Sequence, residues 1–144
     1  MKQNQPKIYD IIIKTEFSKY LSDTTIHELC KIMNIVDYKK NTTIYSKNEK
    51  ITKFLIVNSG ECKLINNSTL IRKLYKNDFF GLISLFTNSS KNYNLVAVNN
   101  VTMLELNKDD LVELTLEYPE IKKELLQIVN KQLFNPEINS ALGT

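Results

Sequence analysis

The chain has 144 residues, 42% of them hydrophobic, which suits one globular domain with its own core and is short for two. Its 19 basic and 16 acidic side chains give a net charge of +3 and are spread without a basic block. This distribution lacks the concentrated positive surface of nucleic-acid-binding domains. We therefore expect no direct nucleic-acid binding by this segment.

The cysteine content and the apolar runs indicate where such a chain works. Cys30 and Cys62 have no short metal-type spacing and do not form the dense disulfide framework of small secreted domains. The longest apolar run, residues 79–86, is far shorter than the ~20 residues that a membrane-spanning helix needs, and the polar start lacks the apolar core of a signal peptide. We expect a reducing, cytoplasmic environment and no membrane-spanning segment.

Residues 1–33 are predicted to form an N-terminal helical segment. Apolar positions recur there at near-helical spacing, and Ser22 or Asp23 can cap a helix that runs through TTIHELCKIM. His27, the only histidine, falls on this helix and is interpreted as a solvated residue.

Residues 34–107 change to short β-rich runs separated by polar turns, which is the pattern of an antiparallel barrel or sandwich. About seven strands are predicted, in the order NIVDY, TTIYS, FLIVNS, ECKLIN, TLIRKLY, YNLVAV and VTMLEL. One short helical turn is expected near residues 81–86, between the fifth and sixth of these runs.

Residues 108–134 return to a helical period. Asn107 can cap the first helix and Pro119 begins a second, whose apolar face is formed by Leu125, Ile128, Val129 and Leu133. Residues 135–144 are expected to be a flexible tail. The predicted fold is α+β and mainly β: one structural domain in which an antiparallel β-roll, or jelly-roll-like barrel, is flanked by N-terminal helices and two C-terminal helices.

Four ordered motifs carry a resemblance to a known family. FLIVNSGECKL matches a strand and tight turn, KNDFFGL an FGE turn, SKNYNLVAV a phosphate loop, and VTMLELNKDDLVELTLEYPEI a last strand and the helix after it. In order and spacing they resemble the cyclic nucleotide-binding domain family, from about Phe17 to Leu133. The resemblance implies a regulatory β-roll with cAMP or cGMP as its ligand.

The glycine positions of this family are only partly kept. Asn41, Asn48 and Asn77 stand where the family has glycine in left-handed turns, and asparagine is the residue that best tolerates a positive φ after glycine. Gly60 and Gly81 are retained, which suggests places where a Cβ would obstruct a turn or a close approach. We expect the turn geometry to survive.

The resemblance also implies a phosphate and ligand pocket in the phosphate cassette. Its backbone N–H groups would favour an anion at the start of the short helix. The candidate pocket residues are Phe80, Gly81, Leu82, Ile83, Ser84, Ser89, Ser90, Lys91, Asn92 and Tyr93.

Two side chains of the family's cassette are replaced. Leu82 occupies the position of the family's glutamate, whose carboxylate would bind the ribose hydroxyl. This change removes a charge-assisted hydrogen bond of about 1.5–3 kcal/mol. Lys91 occupies the position of the family's arginine and offers the phosphate a point charge in place of a bidentate guanidinium. Asn92 and Tyr93 replace a small residue and can crowd the pocket, while Arg72, the only arginine, lies in a strand out of register for the phosphate. These changes predict a degenerate cassette.

A second group of candidates lies at the end of the last helix. Some channel domains of this family fill their own pocket with an aromatic segment there, so Leu133 and Phe134 are candidate lid or self-ligand residues. Phe134 can equally be an ordinary core anchor before Pro136, which fits simple helix termination.

Three functions remain open. The favoured one is a regulatory domain of a larger signalling protein, of the kinase or channel type, with lost or weakened cyclic nucleotide binding. It would act as a coupling or interaction module, with other domains or subunits as partners. The alternatives are a functional but atypical cAMP or cGMP sensor and the sensor half of a Crp-like transcription regulator.

No catalytic constellation is recognisable. Metal-dependent barrel enzymes need several histidine or carboxylate ligands inside the barrel, whereas the only histidine here, His27, is predicted outside the strands. Cys62 has no visible activating base. We expect a non-enzymatic segment without a metal or cofactor other than a possible cyclic nucleotide.

Overall fold

The N-terminal segment is helical, as predicted. The computed structural model describes residues 5–87 and 90–134. It begins with α1 (Gln5–Ile13), a 3₁₀ helix (Phe17–Tyr20) and α2 (Asp23–Ile32). The predicted cap of α2 is confirmed, because the N–H of Thr25 donates to Oγ of Ser22 at 3.2 Å.

Two antiparallel four-stranded sheets follow and form the β-roll. The strands are β1 (Asn34–Tyr38), β2 (Thr43–Tyr45), β3 (Lys53–Ser59), β4 (Cys62–Asn66), β5 (Thr69–Leu74), β6 (Phe79–Phe80), β7 (Asn94–Ala97) and β8 (Val101–Asn107). The first sheet has the order β1-β8-β3-β6 and the second the order β2-β7-β4-β5. The predicted fold class is confirmed; β6, with two residues, is the one strand that the sequence did not indicate.

Three further helices complete the described chain: α3 (Leu82–Thr87), α4 (Lys108–Glu117) and α5 (Pro119–Phe134). Asn107 is the N-cap residue of α4, as predicted, although its side chain makes no capping hydrogen bond. The backbone N–H of Lys108 donates instead to the carbonyl of Thr52 at 2.9 Å. In the part of the chain that the structure covers, no helix has the length and apolar character to cross a membrane.

Strands β3 and β8 separate two apolar clusters. Because side chains alternate along a strand, Phe54 and Leu104 face the helices, in a cluster that we call the helix-side core. Leu55 and Met103 face the space between the two sheets, which we call the roll interior. The candidate site belongs to the roll interior and its rim.

The turns carry the expected positive φ angles. Asn41, Asn48 and Asn77 have φ values of 71°, 67° and 75°, which confirms the asparagine-for-glycine interpretation. Asn67, with φ 55°, is a fourth case that was not predicted. A Cβ on Gly60 (φ 87°) would lie 2.4 Å from the carbonyl oxygen of Asn100, so this tight turn requires glycine.

A carboxylate joins the helices that precede the roll to those that follow it. Glu124 of α5 accepts a hydrogen bond from the N–H of Ser22 at 2.5 Å and others from the hydroxyls of Ser22 and Thr25. Farther along α5, the ammonium of Lys131 lies 4.7 Å from the ring centre of Tyr20. Helix α5 is thereby held against the N-terminal helices.

Candidate functional site

The turn between β6 and α3 lies where the resemblance places the phosphate cassette. Gly81 has φ 99°, and a Cβ there would lie 2.8 Å from the carbonyl oxygen of Lys53. Only glycine therefore lets this turn pass so close to β3. The N–H of Leu85 donates to the carbonyl of Gly81 at 3.0 Å and closes the first turn of α3.

The side chains of α3 mostly turn away from the roll interior. Leu82, with 1% of its surface exposed, belongs to the helix-side core together with Leu85, and Ile83 packs against the same cluster. Ser84 is fully buried, and its hydroxyl has no hydrogen-bond partner among the residues described. The position of Leu82 thus lacks a carboxylate and, in addition, does not face the space between the sheets.

The loop after α3 supplies one cation. The carbonyl of Lys91 accepts the N–H of Asn48 at 2.8 Å, and Lys91 is half-buried. Within residues 5–87 and 90–134 its ammonium has no ion pair or hydrogen bond. Ser90 and Asn92 are exposed, and Ser90 forms a single bridge with Lys50.

Three of the predicted site residues lie outside what the structure describes. Ser89 falls between the two described ranges. Leu133 and Phe134 end helix α5, but their side chains are outside the described part, so their proposed lid or self-ligand role stays a prediction.

Tyr93 packs against the roll interior. It precedes by two residues Leu95, a fully buried member of that cluster, and therefore shares its inward face. The ring of Tyr93 lies 6.3 Å from that of Phe80, which lies 6.1 Å from that of Tyr45. Burial raises the pKa of Tyr93 above its ordinary value. Three aromatic rings thus occupy the cassette side of the roll interior.

Arg72 also faces the roll interior, a position that its place in the linear sequence does not indicate. It pairs across β4 and β5 with Leu64, a buried member of the interior cluster, and side chains opposite each other lie on one face of a sheet. Its positive charge opposes the rise in the pKa of Tyr93, which reflects their proximity. The pairing of β4 with β5 brings Arg72 to this place, and no linear motif reveals it.

A polar group was also missed inside the roll. Glu105 is 4% exposed, accepts a hydrogen bond from the ammonium of Lys53 at 3.1 Å and another from the hydroxyl of Tyr38. Burial, and then the hydrogen bond to Glu105, raise the pKa of Tyr38. The signal in the sequence was a charged residue two positions after Met103, on the inward face of β8.

The comparisons with known proteins agree with this geometry. The family described as "Cyclic nucleotide-binding domain" matches residues 35–118. The cAMP-dependent protein kinase regulatory subunit of Candida albicans is 28% identical over 123 residues, which are 84% of this chain and 27% of that protein. The CRP-like cAMP-activated global transcriptional regulator of Mycobacterium tuberculosis is 21% identical over 92% of this chain and 61% of its own length.

The fold has a close counterpart among solved structures. The N-terminal domain of a transcriptional regulator from Streptomyces coelicolor superposes with a TM-score of 0.77 at 21% identity, covering 94% of this chain and 96% of that one. The chain spans less than two thirds of the two full-length relatives. The matched region runs from β1 to the end of α4 and contains the whole roll and its cassette. This chain belongs to the cyclic nucleotide-binding domain family.

Proposed function

We propose that this chain is a non-catalytic regulatory domain of a larger signalling protein, in which cyclic nucleotide binding is lost or weakened. It would act as a coupling or interaction module for other domains or subunits. The observation that carries this proposal is the position of Tyr93, whose ring packs against Phe80 at the roll interior.

The ring of Tyr93 competes with a phosphate for space. By resemblance, Tyr93 follows the family's arginine position at the place where a small residue leaves room for the phosphate. For a nucleotide to enter, the ring would have to leave Phe80 and give up its buried contacts. The entering phosphate would then find Lys91, which cannot form the bidentate contact of an arginine.

The ribose contact is missing as well. Leu82 has no acceptor and packs into the helix-side core, so a nucleotide would lose about 1.5–3 kcal/mol at the ribose, or roughly ten- to a hundredfold in affinity. Together with the obstruction by Tyr93, this supports a domain whose arrangement does not depend on nucleotide.

The regulatory assignment is supported by the relatives. One is named as a kinase regulatory subunit and another as a transcriptional regulator, and this chain corresponds to only part of each. The hydrogen bond from the N–H of Ser22 to the carboxylate of Glu124 directly connects α2, before the roll, with α5, after it. The buried free thiols of Cys30 and Cys62 support a reducing, cytoplasmic setting.

One observation favours a second candidate, an atypical cAMP or cGMP sensor. The ammonium of Lys91 has no partner within the described residues, and Arg72 faces the roll interior. Two cations are therefore available for a phosphate if Tyr93 moves aside.

Calorimetric titration with cAMP and cGMP distinguishes the two candidates. We expect no heat of binding for the wild type up to millimolar nucleotide, and micromolar binding for Lys91→Arg/Tyr93→Ala. Tyr75→Ala, at a tyrosine that is 52% exposed, is the matched control and should not bind. Micromolar binding by the wild type would contradict the loss of binding and support the sensor.

A further inference from the structure

The second sheet has a free edge. Its strand order β2-β7-β4-β5 leaves β5 with one neighbour among the strands described. Leu70 and Ile71 on β5 are 51% and 49% exposed. Edge strands of natural proteins are usually protected by charges, bulges or a covering segment. Strand β5 has a bulge at Ile71 and carries the charges of Arg72 and Lys73, yet Leu70 and Ile71 remain exposed. An edge with adjacent exposed apolar side chains is suited to pairing with another extended chain.

The outer face beside this edge carries a groove lined by both apolar and polar residues. It measures about 440 Å³ and is lined in part by Ile65, Leu70 and Val98. Lys63 and Lys73 line the same groove. This surface lies on the opposite side of the sheet from Leu64 and Leu95, so it does not depend on whether the roll interior holds a ligand.

The charges of the groove are unbalanced. Lys63 and Lys73 stand directly opposite each other on β4 and β5, and like charges in such a pair repel. Lys73 has a counterion, because its ammonium lies 3.1 Å from the carboxylate of Glu61. Lys63 has no ion pair among the residues described. One uncompensated cation therefore remains beside the exposed apolar side chains of β5.

We propose that β5 and this groove dock an extended acidic segment of a partner protein, which adds to the second sheet as a fifth strand. Its backbone would pair with the free edge of β5, and its apolar side chains would cover Leu70. Strands lie about 4.8 Å apart, so the added strand is about 10 Å from β4. An acidic side chain and the long side chain of Lys63 span that distance together.

A second copy of this chain suits the edge less well than an acidic segment. Two β5 edges placed side by side would add a second pair of Lys63 and Lys73 to the same sheet, and β5 carries no carboxylate to offset them. An acidic strand relieves the repulsion instead. The charge of the groove thus selects the partner.

The proposal is tested with a labelled ten-residue peptide of the repeat Val-Val-Glu-Glu, which places valine and glutamate alternately along each face of an extended strand, and a second peptide with lysine in place of every glutamate. Fluorescence anisotropy should show at least tenfold tighter binding of the acidic peptide. Lys63→Glu should weaken its binding at least tenfold. Lys14→Glu, an identical charge change at an exposed residue between α1 and the 3₁₀ helix, should weaken it less than twofold.

Hydrogen exchange supplies the second readout. The acidic peptide should slow amide exchange in residues 69–74 and leave the cassette, residues 79–87, unchanged. Equal weakening by Lys63→Glu and Lys14→Glu, or no slowing in β5, would overturn the proposal. So would a protein that is dimeric by analytical ultracentrifugation and whose β5 amides are already protected, because the occupant would then be a second copy.

Discussion

Glu105 and Lys53 form an ion pair at the roll interior, with the ammonium of Lys53 3.1 Å from a carboxylate that is 4% exposed. The side chain of Lys53 is 41% exposed, so water reaches one partner of the pair and hardly reaches the other. The carboxylate depends on Lys53 and on the hydroxyl of Tyr38 for its compensation. Because of this asymmetry, replacing Lys53 and replacing Glu105 should change the stability of the domain differently.

Lys53→Met should lower the free energy of unfolding by about 1–3 kcal/mol, because it leaves a buried carboxylate without its cation. Adding Glu105→Leu should restore part of this loss, since the double variant buries no charge. Urea unfolding measures both. The control is Lys19→Met, whose partner Glu16 is 51% exposed and whose loss should be about 1 kcal/mol or less. Equal losses in the two lysine variants would contradict the interpretation.

Gly81→Ala should destabilise the domain by about 1–3 kcal/mol. The new Cβ would meet the carbonyl oxygen of Lys53 at 2.8 Å, and φ 99° is unfavourable for alanine. Asn77→Gly, at a positive φ without this close approach, is the matched control and should change stability by about 0.5 kcal/mol or less. A tolerated Gly81→Ala, measured by thermal unfolding, would show that the turn can move away from β3.

Ser84→Ala should raise stability by about 1 kcal/mol, because the buried hydroxyl of Ser84 finds no partner in the described residues and desolvating it is unfavourable. Thr15→Val is the control. Its buried hydroxyl donates to the carbonyl of Ile12 at 2.6 Å, so this change should lower stability. If denaturant unfolding shows both variants less stable than the wild type, Ser84 has a partner after all.

The stability of the domain should fall as the pH rises above about 9. Burial, with a smaller effect of Glu61, raises the pKa of Cys62 from 9.0 to about 12, and burial raises that of Cys30 to about 11. Between pH 9 and the raised pKa of each folded thiol, the unfolded thiols have lost their protons while the folded ones keep them. The stabilisation that comes from this difference in pKa is therefore complete below pH 9 and is lost as the pH rises through the pKa of the folded thiols.

Cys62→Ala tests this pH dependence. It should flatten the decline in the free energy of unfolding between pH 8 and 10.5, measured with urea, whatever its effect at pH 8. An unchanged slope would mean that the thiol of Cys62 already reaches solvent in the native state.

Local signals in the sequence predicted most elements of the fold, but not all of them. Short β-rich runs between polar turns revealed the longer strands, and Ser22 indicated the start of α2, because both signals are local. Strand β6 was not predicted, because its two residues, Phe79 and Phe80, are too few to show a periodic pattern. It is defined by its pairing with β3. The φ of Asn67 was missed because asparagine is common in this chain and that turn matched no family glycine.

The candidate site was less predictable than the fold. The resemblance pointed to Gly81, Lys91 and Tyr93, which are close in the sequence. Arg72 and the partners of Glu105 reach the roll interior through cross-strand pairing, so their neighbours are distant in the sequence. The packing of Leu82 toward the helices depends on the direction of α3, which a motif does not specify.

The separation of the two apolar clusters by β3 and β8 means that neighbouring positions report on different parts of the molecule. Truncating Phe54 or Ile56 perturbs the contact with the helices, while truncating Leu55 or Val57 perturbs the space between the sheets. In a scan of single substitutions, odd and even positions of β3 should consequently form two classes of phenotype. A slip of one residue in the pairing of β3 with β8 would exchange the classes, so this register keeps the two halves of the domain distinct.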